Sequence, residues 1–287
     1  MNIRTFAVLR KWSLTLFALT SADASAQVTA FRMNDLDLRD PHVFVNFIGC
    51  RDVTDTPVVG FSVNGELQTS IQTDGDTPAD GLLDLSNLFL FQPLDQSATT
   101  NPFDSGGAAC TAPLASTACS SFASSRLTGD ATLSSSAPCL EPLAAALHGY
   151  VPGVINTTAP CFGSPVGTIS LDLGGIAVPL QDAQIAATFV GNPASNTVNG
   201  LMKGFLRESD ADTVIIPATF PLIGGLPLSE ILPGGDPPGP GVNCAAHSDI
   251  DLHNDVRGWW FYLNFTAPKV PLDFDPFASG FAHGFED

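Results

Sequence analysis

Gly258-Trp259-Trp260-Phe261-Tyr262-Leu263-Asn264-Phe265-Thr266 carries a large ring or aliphatic side chain at six of nine positions. Side chains alternate faces along a strand, so an extended segment of this composition has bulky groups on both sides. One face has to lie in a core. The other is either roofed by a second layer or left open as a binding platform, and the roofed reading is preferred. Upstream, the same two-residue period recurs. Phe31, Met33, Leu36 and Leu38 mark it in residues 28–40, Val43, Val45 and Phe47 in 42–48, and Ile169, Leu171 and Leu173 in 166–173. Gly174-Gly175 turns the last of these back into 176–180. Residues 184–190 and 197–208 read as a hairpin across Gly191-Asn192-Pro193, and 213–216 is β-branched. Val63-Asn64-Gly65 predicts a hairpin turn between 58–62 and 65–73, because Asn-Gly suits tight strand reversals. Residues 82–91 form a heavily apolar strand ended by Pro93.

Composition points the same way. The chain has 26 Gly, 23 Pro and 20 Phe in 287 residues, with a 44% hydrophobic share. That is enough apolar material for a core, while Gly and Pro interrupt long helices. Helix is expected only over two turns at 141–148, after Pro138, and briefly at 226–232. The predicted fold is all-β: a two-sheet sandwich of jelly-roll type, with one or two short helices and long disulfide-tethered loops.

Arg4, Arg10 and Lys11 precede an apolar run from Trp12 to Thr20 and the small residues Ala24-Ser25-Ala26, the pattern of a secretory leader over 1–26. A secreted location follows, whether extracellular, cell-surface or periplasmic. No later run reaches the roughly 18 apolar residues of a spanning helix. Without the leader, eight basic residues face 28 acidic ones, a balance of −20. Such a chain has no electrostatic footing on nucleic acid or anionic lipid. Its partners are expected to be divalent cations, a surface partner or a polysaccharide, with self-association through an exposed Trp259 or Phe261 as a further route.

The mature chain divides into a single domain over 27–268 and a flexible tail over 269–287. Within the domain, 95–136 is rich in Ser and Thr and reads as a long excursion that includes a strand over 126–133, with an interdomain linker as the alternative. Six cysteines in an exported chain predict up to three disulfides. Cys110 with Cys119 and Cys139 with Cys161 close short loops in a region poor in core residues. That leaves Cys50 with Cys244, joining an early strand to a late one.

Chemistry concentrates in two places. Asp74, Asp76, Asp80 and Asp84, with Gly75 and Gly81, alternate carboxylates and tight turns as a calcium loop does. The spacing fits the D-x-[DN]-x-[DN]-G pattern only if Pro78-Ala79 is an inserted pair. The segment resembles the aspartate-rich loops of thrombospondin type 3 repeats and dockerins, which implies Ca2+ as the ion. His247, Asp249, Asp251 and His253, spaced by two, would share one face of a strand and form a second metal candidate; the alternative is a solvated turn. No G-x-S-x-G or H-E-x-x-H occurs, so no catalytic residue is assigned. A secreted binding or structural protein is preferred over an extracellular hydrolase using carboxylates or the 247–255 cluster.

Phe277-Ala278-Ser279-Gly280-Phe281 and Phe285-Glu286 resemble the aromatic Gly-Phe-Glu tails of uncharacterised secreted proteobacterial proteins. Asp80-Gly81-Leu82-Leu83-Asp84-Leu85 and residues 258–265 are similar to their β-rich bodies. The resemblance implies a compartment and no activity.

Overall fold

The computed structural model describes residues 27–173, 175–235 and 244–272. The expected leader, Gly174, most of the Gly/Pro loop before Cys244, and the tail from 273 with His283 lie outside the described residues. Thirteen strands are described: β1 (Thr29–Arg32), β2 (Asp35–Asp40), β3 (Phe44–Asn46), β4 (Cys50–Asp52), β5 (Asn87–Phe91), β6 (Thr100–Cys110), β7 (Cys119–Ser134), β8 (Cys161–Gly163), β9 (Gly167–Asp172), β10 (Ala177–Val190), β11 (Asn196–Arg207), β12 (Asp251–His253) and β13 (Val256–Val270). Two α-helices accompany them, α1 (Val63–Gln72) and α2 (Glu208–Ala211). Among the described residues no helix is long and apolar enough to cross a membrane.

The sheet closes on itself. Antiparallel neighbours run β1, β5, β6, β7, β8, β10, β11, β13, and β13 returns to β1. Ala30 pairs with Leu90 on one side and Val270 on the other. The result is an eight-stranded barrel, with β2 and β12 along the outer edge of β13 and β9 on β10. The chain is mainly strand, as expected, but the strands do not part into two facing sheets. β13 is engaged along one edge by β11 and along the other by β12, β2 and β1 in turn.

Rings from six strands meet in the interior. Phe162 lies 5.0 Å from Phe91, 5.6 Å from Phe103 and 5.5 Å from Phe189. Phe31 reaches Phe91 at 6.1 Å, and Phe89 reaches Phe265 at 5.1 Å. Side chains from β1, β5, β6, β8, β10 and β13 can converge only on the inside, and eight strands leave an interior that such rings fill. The opposite face of β13 is buried too. Trp260 and Tyr262 pack with Leu201 and Phe205 under Leu140 and Ala146. Both faces of 258–266 are therefore covered, and Trp259 and Phe261, at 0% and 1% exposure, are not free to dock on a second copy.

Several sequence expectations change in detail. The 95–136 excursion is the β6–β7 hairpin of the barrel wall, with Thr100 opposite Thr132 and Cys110 opposite Cys119. Its Ser, Thr, Gly and Ala residues look like loop, yet the ladder is made of backbone groups and needs no large side chains. The hairpin predicted at Val63-Asn64-Gly65 is the start of α1. Ser62 caps it by accepting the Gly65 N–H, and Asn64, Leu67 and Ile71 recur at helical spacing as its buried face. Asn64 spends its amide on Leu38, accepting from the backbone N–H at 2.8 Å and donating to the carbonyl at 3.1 Å. The helix expected at 141–148 is a single 3-10 turn at Ala144–Ala146, the one at 226–232 a turn at Leu228–Glu230, and 213–216 contributes only a bridge from Ile215 to Pro227. The 42–48 strand shrinks to β3. The β10–β11 hairpin forms as predicted, and β13 runs to Val270, two residues into the expected tail. All three disulfides join the expected partners.

Candidate functional site

The outer edge of β13 is shared by short strands with an interruption between them. β12 pairs with its start, Asp251 opposite Gly258, and β2 pairs further on, Asp40 opposite Tyr262. Asp40 ends β2 and Asp249 stands two residues before β12, so the two carboxylates face each other across that interruption. A third segment, closed by Cys139–Cys161, lies over the outside of the barrel. It is stitched down where Leu143 N–H donates to Tyr262 Oη (3.1 Å) and where the Asn264 amide bonds both N–H and C=O of Ile155 at 2.8 Å. This places His148 and Tyr150 over the two aspartates. The β3–β4 hairpin, tied to Cys244 by Cys50, adds His42, Phe44 and Asp52.

Asp40 is held from both sides by one residue. The His148 backbone N–H donates to its Oδ2 and His148 Nδ1 to its Oδ1, each at 2.8 Å. Tyr150 Oη donates to Asp249 Oδ2 at 2.5 Å and accepts from His247 Nε2 at 2.8 Å. His42 stacks on the Tyr150 ring with centroids 3.8 Å apart and planes 4° apart, and its Nδ1 pairs with Asp52 Oδ2 at 2.6 Å. Phe44 meets His247 edge-on at 5.7 Å. Asp249 is fully buried, while His247 is 47% exposed at the mouth.

Burial dominates the electrostatics. It raises the pKa of Asp249 against the opposing Tyr150 hydrogen bond and the nearby histidines, and raises Asp251 likewise. Tyr150 is pushed far above the usual phenol range by burial and then by Asp249. The hydrogen bond with Asp40 raises His148 despite its desolvation. At Asp52 burial would raise the carboxyl, but the bonds from His42 and the Thr54 backbone outweigh it and hold it low. The arrangement can hold a cation between buried carboxylates, or connect a buried acid to the surface through a phenol and an imidazole.

The expected metal residues are only partly brought together. His247 and Asp249 join this cluster, Asp251 lies at its edge, and His253 is drawn away to Asp182 at 2.6 Å. They share no single strand face, because β12 covers only Asp251–His253 and the preceding residues belong to an irregular segment. In the acidic loop, Asp74, Asp76 and Asp84 set carboxylate oxygens within 4.8 Å of one another. Asp84 accepts the Gly75 N–H (2.9 Å) and Asp74 the Gly81 N–H (2.7 Å), while Asp80 turns to the Leu82 N–H (2.8 Å). Asp76 is raised chiefly by Asp84, then slightly by burial and by Asp80 and Asp74. Asp40, His148, Tyr150 and His42 escape sequence reasoning, since no local motif links positions more than a hundred residues apart. The one signal is scarcity: three of five histidines gather here. Comparison with models of protein families, with curated proteins and with solved structures finds no match in any of the three.

Proposed function

We propose that the chain is an exported binding or structural protein that engages a surface partner or polysaccharide through the outer face around Tyr150 and His247. The ring-filled barrel supports this reading. With the interior occupied by Phe side chains, recognition falls to the outside, where stacked rings and polar groups stand together. Tyr150 and Phe44, both partly exposed, offer planar faces of the kind sugar rings favour, beside the part-exposed Asp52 carboxylate, which can accept from hydroxyl groups. Retention of the mature chain on a panel of insoluble polysaccharides tests it. Binding weakened by His247→Ala supports the proposal, and no retention on any member removes polysaccharide as the partner.

Calcium at Asp74, Asp76 and Asp84, with Asp80 supporting the turn, belongs to the same proposal as a stabilising ion. Chelator is expected to lower the melting temperature of the mature chain, and an unchanged melt across a calcium titration would remove the ion. A hydrolase remains the second reading because Tyr150 bridges buried Asp249 to half-exposed His247, a route for a proton. A screen on ester and polysaccharide substrates, repeated with Asp249→Ala and His253→Ala, decides it. Turnover lost with Asp249→Ala but kept with His253→Ala would favour the enzyme.

A further inference from the structure

We infer that Asp40, His148 and Asp249 form a binding site for a borderline divalent transition ion of the zinc class. A carboxylate oxygen of each aspartate and a ring nitrogen of His148 lie within 4.8 Å of one another. They come from three separate stretches of chain, each fixed independently: the end of β2, the segment closed by Cys139–Cys161, and the run into β12. His148 Nδ1 is 2.8 Å from Asp40 Oδ1 and 4.0 Å from Asp249 Oδ1. Zinc bonds of roughly 2.0–2.1 Å at tetrahedral angles need donors about 3.3 Å apart, so the two distances bracket the requirement.

A second observation separates this cluster from an ordinary buried ion pair. Asp249 is fully buried, and its Oδ1 has no hydrogen-bond partner although it points towards the ring nitrogens of His148 and, at 3.4 Å, His247. A buried carboxylate oxygen left without a partner is costly, and among the described residues no lysine or arginine pairs with either aspartate. The surrounding bonds also have the form that orients metal ligands. Each carboxylate commits one oxygen to an outer partner, Asp40 Oδ2 to the His148 N–H and Asp249 Oδ2 to Tyr150, and turns the other inward. A bound ion takes the lone pair of His148 Nδ1, and the neutral ring then carries its one proton on Nε2. One imidazole with two carboxylates suits zinc and its neighbours better than calcium, which prefers oxygen alone. His247, half-exposed beside Asp249, stands next to the remaining coordination position.

This inference is independent of the binding function, since a chain that retained no polysaccharide would still take up the ion. The mature, disulfide-bonded chain is stripped with chelator and titrated calorimetrically with zinc chloride in excess calcium, which occupies oxygen-only sites. One equivalent per chain is expected, with affinity lowered at least about tenfold by His148→Gln and by Asp249→Asn. X-ray absorption at the zinc edge of the parent is expected to show nitrogen and oxygen at about 2.0–2.2 Å with one imidazole. Absence of saturable binding, affinity unaltered in both variants, or a spectrum without imidazole would overturn the site. Should either variant lose its near-ultraviolet dichroism, the other variant and the parent spectrum decide.

Discussion

Arg32 is fully buried at the end of β1, and no carboxylate accompanies it in its hydrogen bonds. Its Nη2 donates to the carbonyls of Ile71 (2.6 Å) and Leu85 (3.0 Å), Nη1 to Met33 O (3.0 Å), and Nε to Ser86 Oγ (3.2 Å). Ile71 lies in the last turn of α1, where the helix has no basic residue of its own. The guanidinium thus supplies from β1 the positive charge that helix C-termini favour. Burial lowers its pKa to about 10, so it remains charged at neutral pH. Arg32→Met keeps the stem and takes the donor from three carbonyls, those of Met33, Ile71 and Leu85. Each orphaned buried carbonyl costs about 1–3 kcal/mol, and removing the desolvated charge returns part of that. A net loss of about 3 kcal/mol is expected, which at roughly 2–4 °C per kcal/mol for a chain of this size lowers the melting temperature by about 6–12 °C. Arg32→Lys keeps the charge without the planar fork and should fall between. Thermal melts followed by circular dichroism measure both, with amide exchange expected to rise first in the last turn of α1. A Met variant melting within about 2 °C of the parent, or an α1 no less protected than before, would refute the argument.

Other expectations follow from the barrel and from the site. Phe162→Ala opens a void where four other rings meet and should cost about 3–5 kcal/mol by urea denaturation; a loss below about 1 kcal/mol would mean the rings do not fill the interior. Asp52 has a lowered folded pKa, so its contribution is present above the unfolded carboxyl value of about 3.9 and fades as pH falls through the folded value. Asp52→Asn should therefore destabilise the protein at neutral pH and flatten the loss of stability below about pH 4. A variant whose acid limb matches the parent's would remove the His42–Asp52 bond from the account.

The strands with strict alternation were legible because period two is a local property, as in β2 and β9. Cysteine pairing was legible too, from an even count and loop length. Barrel closure was not, since whether β1 meets one neighbour or two depends on Ala30 and Val270, 240 positions apart. The β6–β7 wall was hidden by small residues whose ladder bonds leave no hydrophobic signature. Asn64-Gly65 misled because the Ser62 cap and the buried spacing of Leu67 and Ile71 outweigh a two-residue turn preference. At the site, His247 and Asp249 were visible as a local cluster. Their partners Asp40, His148 and Tyr150 arrive through sheet registry and the Cys139–Cys161 segment, which only the folded chain reveals.

The most direct trial of the closed wall is a nuclear Overhauser spectrum of the isotope-labelled protein, read at Ala30 and Phe31. Cross-strand contacts from β1 to Leu90 and Phe89 on one side, and to Val270 and Lys269 on the other, are the predicted result. Contacts to β5 alone, with the Val270 edge exchanging freely with solvent, would contradict the closed barrel.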